Sequence, residues 1–353
     1  MVAHADTAEP SRRALLAGVA VTAAVMVAGL TWAKWMPYLG KAMSAARTHD
    51  WPAKDILAVG GVRAGDGPSW AAATSFFHAY ALAILPALVV ALLVSACVQA
   101  FVPRSWLPRL LNRRGLLSTA AAGGLASMPT MMCTCCAAPV AVTLRRTGVS
   151  RAAVVAYWLG NPLLNPAVLV FLLFVAPWQW TVTRLAVGAL AVVGAAVLVG
   201  LLTRRHGDPP GPEVVPAMPE TRSAPIRFLA ALGKLSVVLL PEYLVIVLLI
   251  GATRGWLLTL VQPAHQGLLV VLVAAVLGTL LVIPTAGEIP ILQGLALLGL
   301  STGVLGALLI TLPAVSLPGI AMVLRSLGWK TVGATAGATV MAGLLGGALL
   351  TVL

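Results

Sequence analysis

The chain has 353 residues, of which 60% are hydrophobic and 9% charged, with a mean hydropathy of +0.98. A soluble domain carries roughly a quarter of its residues charged, so this composition excludes an ordinary soluble globule and predicts an all-α polytopic integral membrane protein. The net charge of +13 does not point to nucleic acid, because the basic residues fall in short loops between apolar runs, where they orient spans.

Apolar runs of spanning length, roughly 20 residues, fall near 14–36, 79–102, 151–176, 179–202, 228–252, 302–324 and 331–353. Two further runs, 115–148 and 267–299, are longer and interrupted in the middle. Ser11-Arg12-Arg13 ahead of the first run resembles a twin-arginine export signal. A signal for exporting a folded passenger has no use when the passenger is itself a set of spans. The run therefore reads as a first span with Arg12 and Arg13 held inside. Residues 37–69, with Asp50, Trp51, Pro52, Asp55 and Asp66, read as a polar extramembrane loop, so 1–69 is a first span and loop. The stretch 203–225 carries Pro209, Pro210, Pro212, Pro216, Pro219 and Pro225. It reads as a Pro-rich cytoplasmic linker between a first repeat, 70–202, and a second, 226–353.

The halves match at a shift of 151 residues: Thr134 falls on Thr285, Pro139 on Pro290, Leu144 on Leu295, Gly148 on Gly299, Pro162 on Pro313 and Asn165 on Ser316. Such spacing predicts an internal repeat. If each interrupted run crossed once, Arg145, Arg146, Arg151 and the linker basics would lie outside, against the positive-inside rule. If each is a re-entrant hairpin, those residues and Arg12, Arg13, Arg104, Arg109, Arg113, Arg114, Arg325 and Lys330 all lie inside, while the second hairpin opens outward beside Arg254. The expected architecture is thus an inverted repeat with two broken or re-entrant helical hairpins and about seven full spans. Its N-terminus is cytoplasmic. A transporter of this plan places its site at the midplane, between broken helices.

Three of the four cysteines, Cys133, Cys135 and Cys136, fall within four residues, between Pro129 and Pro139. A break in a spanning helix frees backbone groups that only protein or a water-filled cavity can satisfy. Thiolates are soft ligands suited to copper(I), zinc or thiophilic centres such as trivalent arsenic. The segment Cys133-Thr134-Cys135-Cys136 with Pro139 is therefore the candidate substrate-binding stretch, and its cysteines the candidate metal or metalloid ligands. Adjacent or i,i+2 cysteines are poorly placed for an unstrained disulfide. Lone Cys97 reads as a small packed hydrophobe. Only Glu242 and Glu288 among the acids lie within apolar runs. Each costs several kcal/mol at mid-depth, on the order of 2.5–3.5 on insertion scales, unless a cavity or partner receives it. Both are candidate proton carriers. Glu288 aligns with Ala137, so thiols and a carboxylate are expected to face each other across the repeat axis. Asn161-Pro162 and Asn165-Pro166 share one helix face and, with Ser316, offer polar groups to a substrate, a hairpin tip or a neighbouring helix. No Walker loop, nucleophile elbow, HExxH or paired-carboxylate motif is present, so neither an enzyme nor a cofactor is expected.

At C-T-C-C-A-A-P-V-A-V-T-L-R-R-T-G, at the following L-G-N-P-L-L-N-P and at L-P-A-V-S-L-P-G, the chain resembles the bacterial "predicted permease" family, which includes organoarsenical efflux permeases. The resemblance covers roughly residues 75–340 and rests on Cys133, Cys135, Pro139, Leu144, Gly148, Pro313, Ser316 and Pro318. It departs from the arsenical exporters of that family at Cys136 and at N-P-L-L-N-P. The resemblance implies a plasma-membrane exporter whose partners are a small-molecule substrate and the bilayer, with homo-oligomers left open. The expected function is proton-coupled export of a small thiophilic solute. The competing expectation is a membrane thiol redox or metal-handling protein that does not transport.

Overall fold

The computed structural model describes residues 12–50, 56–102, 106–205, 224–259 and 267–353, which form α-helices with short 3₁₀ and π turns and no strand. The first helix, α1 (Arg12–Leu30), passes through a five-residue π turn, Thr31–Trp35, into α2 (Met36–Thr48). The apolar run thus continues past residue 36, where a loop was expected. Pro37 lies inside this continuous helix, just after the π turn, and withholds one N–H from the preceding turn. The helix ends where His49 turns left-handed, φ 57°. The loop is then confined to residues beyond 49, and Trp51, Pro52 and Asp55 lie outside the described residues.

Next come α3 (Trp70–Phe101), α4 (Trp106–Leu111), α5 (Leu116–Ser127), α6 (Thr134–Arg146), α7 (Arg151–Leu163), α8 (Pro166–Val175) and α9 (Trp178–Arg205). The second half follows with α10 (Ala224–Thr259), α11 (Leu268–Leu280), α12 (Glu288–Leu297), α13 (Thr302–Ala314), α14 (Leu317–Leu327) and α15 (Trp329–Val352). All but Ala224 and Pro225 of the Pro-rich linker beyond Arg205 lie outside the described residues. Long helices α3 and α10 pack against each other, each with one internal proline, Pro86 and Pro241. Positions 151 apart do the same local jobs. Gly148 and Gly299 take positive φ, +96° and +85°, where a side chain would be strained. Ser150 and Ser301 then cap α7 and α13 through bonds from Ala153 N and Val304 N.

Among the described residues, Leu16–Thr48, Trp70–Phe101, Arg151–Val175, Trp178–Arg204 and Trp329–Val352 are long and apolar enough to span a membrane. The pair α13–α14, bent by 52°, is either a sixth, broken span or a re-entrant loop. Helices α5, α6, α11 and α12, at 12, 13, 13 and 10 residues, reach about 15–20 Å, less than a hydrocarbon core of about 30 Å. Arg254, expected to flank an outward hairpin, is fully buried. It donates to the carbonyls of Leu57, Ala72, Val59 and Gly251, fastening the 56–61 loop to α3 and α10.

Small residues set the closest helix contacts, as is usual where lipid offers no hydrophobic drive for association. A Cβ on Gly306 of α13 would lie 2.3 Å from the Gly346 carbonyl oxygen of α15, and one on Gly123 of α5 would lie 2.4 Å from Ala153 O of α7. Gly306→Ala should therefore push α13 from α15 and lower stability by about 1–3 kcal/mol. Gly333→Ala, which meets nothing within 4 Å, should leave the thermal midpoint in detergent unchanged.

Candidate functional site

The break after α5 begins as a 3₁₀ turn at Met128–Thr130, passes through left-handed Met131 (φ 48°) and re-enters a helix with Cys133 as N-cap of α6. Pro129 suits the first residues of such a turn, and Pro139 sits inside α6. The geometry gathers the three thiols. Cys133 Sγ lies 3.1 Å from both Cys135 Sγ and Cys136 Sγ, and all three sulfurs fall within 4.8 Å of one another. All are buried and reduced. The i,i+3 pair Cys133/Cys136 is thus as close as the i,i+2 pair Cys133/Cys135. The cluster lies at the N-terminus of α6.

The asparagines serve the break rather than open space. Asn161, fully buried, accepts from Thr130 Oγ1 and, at 3.3 Å, from Met132 N, while its amide donates to Tyr157 O at 2.9 Å. Of the options read from sequence, it takes the hairpin tip. Asn165 caps α8 through Ala167 N and Val168 N, leaving its buried Nδ2 without a partner. Ser316 occupies the equivalent break before α14, and its buried Oγ is likewise unpartnered. Thr134 donates across the halves to Pro313 O, 2.6 Å, and Ala314 O, 3.2 Å. The second of these carbonyls would bond residue 318 in a continuous helix, but that residue is proline. Trp158 Nε1 in turn holds Thr134 O at 3.0 Å. Thr134, Trp158 and Ser316 all crowd the space beside Gly319. Thiols, Thr134 and Ser316 thus meet at one crossing of broken helices, with Pro139 buried inside α6.

Glu288 does not join the thiols. It is the first residue of α12, 1% exposed, and Oε1 accepts from Arg184 Nη2 at 2.9 Å. Arg184 also donates to Pro162 O at 2.8 Å and to Leu309 O at 2.8 Å. Both carbonyls are freed by prolines four residues on, Pro166 and Pro313, which have no N–H to offer. A single guanidinium, fully buried, therefore mends one break in each half and neutralises the carboxylate. Glu288 Oε2 remains unpartnered. The side chain of Glu242, the other intramembrane acid, lies outside the described residues.

Besides Arg184, Lys34, Trp35 and Tyr80 were not singled out from sequence. Lys34, 5% exposed in the π turn, donates to Tyr38 OH at 3.0 Å and to Thr285 Oγ1 at 3.2 Å. Trp35 Nε1 holds Pro129 O at 2.9 Å. Tyr80 OH contacts Cys135 Sγ at 3.2 Å and its ring stacks with Tyr243, centroids 5.9 Å apart. Beyond Tyr243 an apolar cavity of about 360 Å³ opens between α3 and α10, lined by Phe77, Ile84, Leu88, Leu240 and Pro241 among others. The signal for Lys34 was available as a lone cation in an apolar run, and that for Arg184 likewise.

The "Predicted permease" family matches residues 69–352. The chain belongs to this permease family. It is 40% identical over 327 residues, 92% of either chain, to the UPF0718 protein YraQ of Escherichia coli strain K12. No solved structure matches it. The resemblance carried by C-T-C-C and L-P-A-V-S-L-P is thus borne out at the level of the family, and the site of this permease is built mainly from the matched region. Lys34, Trp35 and Tyr38 precede that region.

Replacing Arg184 by Met should leave Glu288 as an uncompensated buried charge and two proline-freed carbonyls bare, a loss of about 3–5 kcal/mol. Thermal unfolding in detergent should show it, and Arg184→Met combined with Glu288→Met should recover part of the loss.

Proposed function

We propose that this permease is a secondary transporter that exports a small thiophilic solute, an organoarsenical or another soft metal or metalloid species, across the bacterial inner membrane in exchange for protons. The observation that carries this is the convergence of three buried thiols at the start of a half-helix, where two broken segments from opposite halves cross. Soft electrophilic centres bind such sulfurs, and a site between broken helices can be opened to either face in turn. In this scheme α5–α6 and α11–α12 are re-entrant pairs of an inverted repeat entering from opposite faces, with the N-terminus cytoplasmic. Cys133, Cys135 and Cys136 receive the solute, lined by Thr134, Asn161, Asn165 and Ser316, while Pro139 shapes the half-helix. Glu288 is the coupling group, with Glu242 as a second carrier. Protonating Glu288 cancels the charge that Arg184 Nη2 binds, loosening the tie between α12 and the ends of α7 and α13.

A second reading has one observation of its own. The contact between Cys133 and Cys136 at a helix N-terminus is the arrangement of reactive dithiols, which favours a membrane thiol redox or metal-handling protein that does not transport.

Everted membrane vesicles energised by a proton gradient decide between them. The transporter should accumulate a trivalent organoarsenical in wild type and lose that accumulation in Cys133→Ser/Cys135→Ser/Cys136→Ser. A well-folded wild type that takes up none overturns the arsenical assignment, and a Cys133–Cys136 disulfide that cycles without uptake favours the second reading. Glu288→Gln should bind the arsenical yet lose dependence of uptake on the proton gradient. Unaltered dependence removes Glu288 from coupling.

A further inference from the structure

Export of a thiophilic solute does not by itself explain why a lysine ammonium is buried beside the thiols. Lys34 is 5% exposed, and its hydrogen-bond partners, Tyr38 OH and Thr285 Oγ1, are both neutral. Among the described residues no carboxylate pairs with it, since Glu288 is committed to Arg184. A buried cation of this kind is costly until an opposite charge compensates it. The lysine is also held there deliberately by the backbone. The π turn widens the helix at Thr31–Trp35, and the indole of Trp35 pins that turn to Pro129 O, at the head of the break that carries the cysteines. Such π turns are rare and concentrate at functional sites. Besides the Tyr38 hydroxyl that Lys34 already bonds, the groups of this break that can become negative are the thiols of Cys133, Cys135 and Cys136.

We propose that Lys34 is the counter-charge of the occupied thiol site, and that the site is balanced for a soft divalent cation held by three thiolates. This rests on the transport reading above and narrows its solute. On binding, three thiols release three protons to solvent and three sulfur–metal bonds form, so that a dication becomes a complex of net charge −1. The ammonium of Lys34 brings the total to zero. A trivalent centre in the same cage is already neutral with three thiolates, and an organoarsenical is neutral with two, so either leaves Lys34 uncompensated. Size agrees. A trigonal cage with metal–sulfur bonds of about 2.3 Å separates its sulfurs by about 4.0 Å. The three sulfurs here, two contacts at 3.1 Å and none beyond 4.8 Å, need only spread by rotation of their side chains.

The test is a pair of titrations on the purified full chain in detergent. Cadmium(II) is followed by its thiolate charge-transfer absorption, and phenylarsine oxide, which closes on two thiols as a neutral adduct, by loss of thiol labelling. Lys34→Met should raise the ratio of the cadmium to the phenylarsine oxide dissociation constant by about 10–100-fold, the usual range when a group supporting a metal's ligands is lost. Lys34→Arg, which keeps the charge, should restore most of that ratio. Equal weakening of both probes in Lys34→Met would assign Lys34 a packing role and overturn the proposal. So would an unchanged ratio, or an arginine variant no better than methionine. If neither probe depends on Cys133, Cys135 and Cys136, the thiophilic transport reading itself falls.

Discussion

A helix that breaks inside a membrane must find donors for the carbonyls it frees, and this chain meets that demand across its two halves. Prolines at 166, 313 and 318 withhold the N–H groups that a continuous helix would aim at Pro162, Leu309 and Ala314. Arg184 supplies the first two and Thr134 the third. Gln293 on α12 adds a bond to Val175 O at the end of α8. Because lipid offers no replacement partner, these bonds fix how the halves meet. The thiol cluster sits where they meet because Thr134, one of the donors, lies between its cysteines.

The same demand accounts for the polar inventory of the core. Asn161 is spent on the backbone of the break, and Asn165 on the cap of α8. Among the buried side-chain atoms left without a hydrogen-bond partner, Asn165 Nδ2, Ser316 Oγ and Glu288 Oε2 belong to residues at the breaks, while others, such as Ser95 Oγ and Thr181 Oγ1, do not. Buried polar groups left unmatched in this way mark places where a protein tolerates a cost for a reason other than stability. The aromatic pair Tyr80–Tyr243 separates the thiols from the apolar cavity, so that cavity and thiols share a wall without merging.

Much of this was legible in the sequence, and most of the exceptions share one cause. The cysteine cluster, the prolines and the asparagines announce themselves because such residues are conspicuous in apolar runs. At 151 residues apart, Gly148 and Gly299 both take positive φ, and Ser150 and Ser301 both cap helices. What the sequence could not convey was distance. Alignment makes Glu288 the counterpart of Ala137, beside the thiols, yet equivalence under a repeat is not proximity, and the carboxylate meets Arg184 instead. Arg184 itself looks like an ordinary interfacial arginine until the carbonyls 22 and 125 residues away are known. The end of the first helix was misplaced because the acids from Asp50 onward gave their polarity to the whole stretch from 37, whereas the helix runs on to Thr48 and buries Tyr38 and Ala45.

The π turn at Thr31–Trp35 gives the buried charge of Lys34 an unusual dependence. A π turn closes its hydrogen bond over one residue more than an α turn, so the direction in which Lys34 points depends on how many residues precede it, as well as on which residue it is. Deleting one residue in that turn would let the helix run on as a regular spiral and swing the ammonium about 100° around the axis. The lysine would remain, but its ammonium would leave Tyr38 OH and Thr285 Oγ1. For this span, length is part of the chemistry.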